Sequence, residues 1–143
     1  MIDYRLDRTP STEKAALLYQ EAGWIDTHFP LETLSTMLAR SWRICTAWNG
    51  EELVGLMRSL SDGVSDAYLL DLIVTKPYRK QGIGREIVNR LVQSLRADGV
   101  DWIVLIGAPG TENFYHFPGC CEMNGYTPFR LVSSPPKSPN DEP

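Results

Sequence analysis

Residues 68–106 constrain the fold more than any other part of the chain. YLLDLIVT, residues 68–75, is nearly all apolar, as expected for a strand covered on both faces. From about Gly82 the period changes. Ile83, Ile87, Leu91 and Leu95 recur at every fourth position with Val88 and Val92 beside them, while Arg85, Glu86, Asn89 and Arg90 fill the other side. That pattern predicts an amphipathic helix. Asp98-Gly99 stops it, and DWIVLI follows as a second buried strand. By the crossover rule, the strands at 69–74 and 102–106 should lie parallel.

The turn between strand and helix, VTKPYRKQGIG at 74–84, carries Lys76, Arg79 and Lys80 with no acid among them, and then Gly82 and Gly84. This cluster runs against the whole chain, whose 18 acidic and 14 basic residues give a net charge of −4 and a sequence pI near 5.1. A helix N-terminus offers unpaired N–H groups and about half a positive charge, which suits an anion. Glycines let an anion approach that backbone and tolerate a positive φ. The plain alternative is a strand-to-helix loop with solvated charges. No Lys-Ser/Thr follows the glycines, which excludes a nucleotide P-loop. Ile87 stands where a dinucleotide fingerprint needs its third glycine.

Elsewhere, residues 2–6 read as a short strand and TPSTEKAALLYQEAGW as a helix ended by Gly23, with Ala15, Leu18, Tyr19 and Ala22 on one face. PLETLSTMLARSW gives a second helix opened by Pro30. RICTAW and ELVGLMRSL flank Asn49-Gly50, a strong hairpin signal, and Asp62-Gly63 marks the next turn. After Gly107 a short helix and a closing strand near 126–132 are expected. The order is β-α-α-β-β-β-α-β-α-β, a mixed α/β sheet with helices packed on it. Residues 1–133 form one domain in this reading, and the Pro-rich stretch 134–143 a flexible, solvated tail.

Bulk properties narrow the classes. The 143 residues suffice to bury a core without staples. The acidic balance argues against a nucleic-acid binder, and no apolar run approaches the ~20 residues that cross a bilayer. Without a signal-type N-terminus, the cytoplasm is the default compartment. Three cysteines, two of them adjacent at Cys120 and Cys121, suggest neither a disulfide framework nor a zinc site. Cys120 and Cys121 read better as small buried hydrophobes than as part of a thiol enzyme with His116.

The stretch from Val74 to Gly84 resembles the acetyl-CoA signature of the GNAT N-acetyltransferase superfamily: a strand ending in Val, a nearby Pro, then R/Q-x-x-G-x-G/A opening a helix. ENFYHFPGC downstream is similar to the F-Y-x-x-x-G-F of a small single-domain branch, which includes plant aralkylamine (serotonin-type) and many bacterial enzymes. Phe114, Tyr115 and Gly119 match it, and Cys120 replaces the final Phe. The resemblance covers about residues 6–131. It implies the GNAT fold and acetyl-CoA as acyl donor, with no metal. Backbone N–H groups of Lys80, Gln81, Gly82, Ile83, Gly84 and Arg85 would cradle the pyrophosphate, with Arg79 and Lys80 adding charge. Leu72, Ile73 and Val74 would run along the pantetheine arm, where the family's strand splays from its parallel neighbour. Asn113 would bond the pantetheine or cap the short helix. Where many relatives carry an Asn, this chain has Ala108, which puts one cofactor contact in doubt.

Transfer to an amine needs the neutral amine, and the departing thiolate benefits from a proton donor. The resemblance makes Tyr115 that donor, against a core aromatic with a bonded hydroxyl. Asp71, a carboxylate inside an apolar strand, is the base or water-holder, or else a structural hydrogen-bond partner. His28 is the weaker option, and a surface histidine is its plainer reading. The acceptor is a small-molecule primary amine in the leading reading, with Trp24, Phe29, Trp42 and Trp48 as pocket walls or core. A protein N-terminus or lysine, and a non-catalytic CoA-binding module, are the rivals. Since many relatives pair through C-terminal strands, a homodimer and a monomer both stay open.

Overall fold

The computed structural model describes residues 1–134. They divide into two compact units, Met1–Leu105 and a second beginning at Ile106. From residue 135 on, the expected tail lies outside the described residues.

The first unit runs β1 (Asp3–Arg5), α1 (Thr12–Glu21), α2 (Leu31–Ala39), β2 (Arg43–Asn49), β3 (Glu52–Ser61), β4 (Asp66–Val74), a single 3₁₀ turn (Lys76–Tyr78), α3 (Ile83–Ala97) and β5 (Trp102–Leu105). The strands form one sheet in sequence order. All neighbours pair antiparallel except β4 and β5, which are parallel, as the crossover demands.

Local chemistry accounts for the boundaries. Ser11 Oγ accepts the Lys14 N–H at 3.2 Å and caps α1. Pro10 precedes the cap. Gly23, at φ +77°, ends α1. Pro30 is the N-cap of α2. In the Asp62 turn, the Trp42 indole lies over Gly63 so closely that a Cβ there would stand 2.3 Å from ring atoms.

Helices cover both faces of the central strands. On one face Ala15, Leu18 and Tyr19 of α1 and Leu34 and Leu38 of α2 pack on Ile44, Trp48, Leu56 and Ile73. α3 packs over β2, β3 and β4 through Ile83, Ile87, Val88, Leu91 and Leu95, the face its periodicity announces. Trp48 is core, with the Arg8 guanidinium stacked 3.7 Å over its ring.

The second unit departs from expectation. Among the described residues neither the short helix nor the closing strand at 126–132 forms. The chain spends its backbone on separate turns instead, such as Tyr115 N–H to Thr111 O and Cys120 N–H to Phe117 O. Pro128 removes a ladder donor, and Phe129 and Leu131 are 85% and 97% exposed, so nothing apolar holds a strand there.

Candidate functional site

β4 outlasts its parallel neighbour. The pairing runs from Asp66 opposite Trp102 to Leu69 opposite Leu105 and stops there, while β4 continues for five residues, 70–74. Among the described residues, no strand pairs with those five on the edge away from β3. Leu72, Ile73 and Val74 lie in this stretch. Ile73 is buried and its two neighbours half-buried, so the strand is less fully covered than its composition predicts.

At the end of β4 the chain is held from several sides. Glu21 of α1 accepts the Lys76 N–H at 2.9 Å. That bond, helped by the Thr75 hydroxyl, lowers the Glu21 pKa from the ordinary carboxylate value. The Tyr78 hydroxyl donates to Glu52 at 2.9 Å and accepts from Asn49 at 2.7 Å, fastening the 3₁₀ turn to the β2–β3 hairpin. Arg79 Nε donates to the Val74 carbonyl at 2.7 Å, closing the loop on the strand it leaves. This bond occupies Nε and leaves both Nη groups outside it.

Lys80 and Gly82 both adopt left-handed backbone, at φ +62° and +81°. A Cβ on Gly82 would meet nothing within 4 Å, so its backbone faces open space and only the dihedral asks for glycine. Gly82 is the N-cap of α3, and no side chain caps the helix. The first-turn N–H groups of Ile83 and Gly84 have no partner within the helix by its geometry. An uncapped helix end, an open glycine and exposed Lys80, Gln81 and Arg85 side chains form a cradle that suits a phosphate group.

Asp71, three residues before the strand ends, stands in left-handed backbone at φ +61°. Its Oδ2 accepts from the Tyr19 hydroxyl at 2.7 Å and from Arg58 Nε at 2.6 Å. The structural hydrogen bond foreseen for this carboxylate is therefore present, and its donors come from α1 and from the adjoining strand β3. Sequence reasoning missed Tyr19 and Arg58 as its partners. It also missed Gly55, whose absent side chain lets β3 approach α3 and β4.

The second unit holds Asn113 and Tyr115. With no helix formed there, Asn113 caps nothing and lies exposed in a turn. The Tyr115 ring meets Phe114 edge-on at 4.9 Å, and burial, followed by the neighbouring Cys120, raises its phenol pKa. Cys121 is exposed and Cys120 only partly buried, which overturns their reading as buried hydrophobes; Cys45 is the buried cysteine. His28 is exposed, with its N–H on Asp26. Trp24 is exposed and edge-on to Tyr19, while Trp42 lies against Gly63, so the tryptophans do not line one pocket. Among the described residues no cluster of His, Cys, Asp and Glu could hold a metal ion, and no helix is long and apolar enough to cross a membrane.

Residues 6–117 match the Acetyltransferase (GNAT) family. A Prochlorococcus marinus protein named an uncharacterized ycf52-like N-acetyltransferase is 27% identical over 106 residues, 71% of this chain and 58% of that protein. The chloroplastic serotonin N-acetyltransferase 2 of Oryza sativa subsp. japonica is 36% identical over 66 residues, 46% of this chain. The chain thus spans about three-fifths of the first relative and a third of the second. A solved GNAT-family acetyltransferase from Streptococcus pneumoniae is 26% identical and has a TM-score of 0.73, covering 96% of this chain and 100% of its own.

Proposed function

The chain belongs to the acetyltransferase (GNAT) family, and from that premise we propose that it transfers an acetyl group from acetyl-CoA directly to a primary amine of a small molecule. The observation that carries this reading is the continuity of the end of β4 that β5 leaves uncovered with the uncapped N-terminus of α3. Pantetheine amides pair with main-chain groups of Leu72, Ile73 and Val74 on the edge that β5 leaves uncovered. The pyrophosphate sits on the N–H groups of residues 80–85, with Arg79 and Lys80 supplying charge. Asn113 adds a pantetheine contact.

An alkylamine resembling lysine titrates near ~10.4, so presenting it neutral at pH 7 costs about 4–5 kcal/mol. In this reading Asp71 takes that proton or holds the water that does. An N–H at Ile73 or Val74 bonds the thioester oxygen as charge develops. Tyr115 protonates the departing thiolate, a role supported by the raised pKa that keeps its phenol in the donor form. The amine attacks the thioester carbonyl, the C–S bond breaks, and the products are an amide and CoA, with no acyl-enzyme. A reducing compartment such as the cytoplasm suits the three free cysteines. Two copies pairing as a homodimer is compatible with this reading.

A thermal-shift titration with acetyl-CoA, run on wild type and Gly82→Trp, tests the reading. At about 100 times its dissociation constant the ligand stabilises the folded chain by roughly 2.7 kcal/mol, a shift of several degrees. Wild type shifts and the folded variant does not; CoA release with a panel of small amines then identifies the acceptor. No shift in wild type overturns the proposal. Binding without CoA release from any amine or peptide leaves a CoA-binding module in place of an enzyme.

A further inference from the structure

The structure assigns a positioning role to Arg58 and Tyr19, exerted through Asp71 on the backbone of β4; the assignment rests on the coenzyme reading of that strand. The register between β3 and β4 slips at this point. Arg58 faces Leu70 and Leu56 faces Ile73, so β3 spends one residue, Met57, where β4 spends two, Asp71 and Leu72. This is a β-bulge, and its first residue is an aspartate in left-handed backbone where glycine would be free of strain.

Something must hold a non-glycine residue there. Two donors converge on Asp71 Oδ2: the Tyr19 hydroxyl from α1 at 2.7 Å and Arg58 Nε from β3 at 2.6 Å. Both come from well-packed residues, Tyr19 at 2% and Arg58 at 9% exposure. Tyr19 does not move without disturbing the core, because it packs in the same apolar cluster as Ile73. The carboxylate is thus gripped from a helix and from the adjoining strand.

The bulge lies at the start of the stretch of β4 that β5 leaves uncovered. Side chains and main-chain groups alternate along a strand, so one extra residue decides which N–H and C=O groups of residues 72–74 face the free edge. The grip on Asp71 thereby sets the hydrogen-bonding edge offered to the pantetheine arm. The phosphate cradle at residues 80–85 lies beyond the bulge, past the 3₁₀ turn at Lys76–Tyr78.

That separation gives the test. Calorimetric titration compares CoA with 3′-phosphoadenosine 5′-diphosphate, which is CoA without the pantetheine arm. Tyr19→Phe and Arg58→Met should each weaken CoA about tenfold, the scale of one or two lost main-chain hydrogen bonds, and leave the nucleotide half unchanged. Asp71→Gly, which adopts the positive φ unaided, should keep more CoA affinity than Asp71→Ala. Tyr19→Phe retains the ring in the core, so it decides the matter if Arg58→Met does not fold. Equal losses for both ligands, no loss for either, or matching affinities in the glycine and alanine variants would overturn the assignment. Failure of wild type to bind CoA at all would instead remove the coenzyme reading on which it rests.

Discussion

A Cβ on Gly55 would stand 2.9 Å from Cδ1 of Ile87, the nearest of three contacts that include the Ile73 carbonyl oxygen at 3.0 Å. β3 therefore meets α3 through bare main chain, and Ile87 fills the space that a side chain at 55 would occupy. This contact seats the first turns of α3, and with them the helix end at Gly82 that forms part of the cradle.

Gly55→Ala should accordingly destabilise by about 1–3 kcal/mol, the ordinary cost of overpacking a tight core. Ile87 can swing its terminal methyl, but the Ile73 carbonyl belongs to a paired strand and must shift with it. Urea denaturation reads the loss. Acetyl-CoA affinity should fall as well, because both the strand edge and the helix start are displaced. An unchanged urea midpoint would show slack between β3 and α3.

Tyr115→Phe should lower kcat by about 10²–10⁴-fold while the KM for acetyl-CoA stays close to wild type, the pattern of a proton donor acting in the transition state. Burial and the adjacent Cys120 raise the phenol above its ordinary value of 10.0, so an alkaline limb from this group has its midpoint above that pH in the kcat profile. Stopped assays of CoA release over pH 6–10 measure both. Equal kcat in the variant removes Tyr115 from the chemistry.

The strand, glycine loop, helix and parallel strand were legible because each rests on a local cause. An unbroken apolar run, a four-residue period and a crossover constraint place residues 68–106 almost without tertiary information. The family match and the mixed α/β fold bear that reading out. The Arg58–Asp71 pair was not legible as a pair, although each is a charge inside an apolar strand. Their meeting depends on a register slip, and register follows from packing rather than from composition. Gly55 did carry a signal, since an isolated glycine in a strand pattern marks close backbone approach. The segment at 126–132 misled in the other direction. Its alternation suits a strand, but alternation needs a neighbouring strand and a covered face to act on, and Phe129 and Leu131 remain in solvent.

The Asp62 turn makes the stability of the first unit sensitive to acid. Asp62 Oδ1 accepts the N–H groups of Val64 and Ser65 at 2.8 Å and of Asp66 at 3.4 Å, and Oδ2 accepts the Ser65 hydroxyl at 2.9 Å. These donors, the Ser65 N–H foremost, hold the carboxyl near a pKa of about 2, against 3.8 for the unperturbed group. A depressed carboxylate stabilises the fold above its unfolded pKa and loses that contribution as pH falls through the folded one, because the unfolded chain binds the proton first. The melting temperature should therefore drop from about pH 4 to about pH 2 in part through this residue. Asp62→Asn keeps an acceptor oxygen for the turn but cannot titrate, so its melting temperature should fall less steeply over the same window. Wild type should be the more stable protein at pH 6, with the gap closing as the solution is acidified. Parallel curves for the two proteins would mean that Asp62 titrates alike in the folded and unfolded chain and contributes nothing to acid sensitivity.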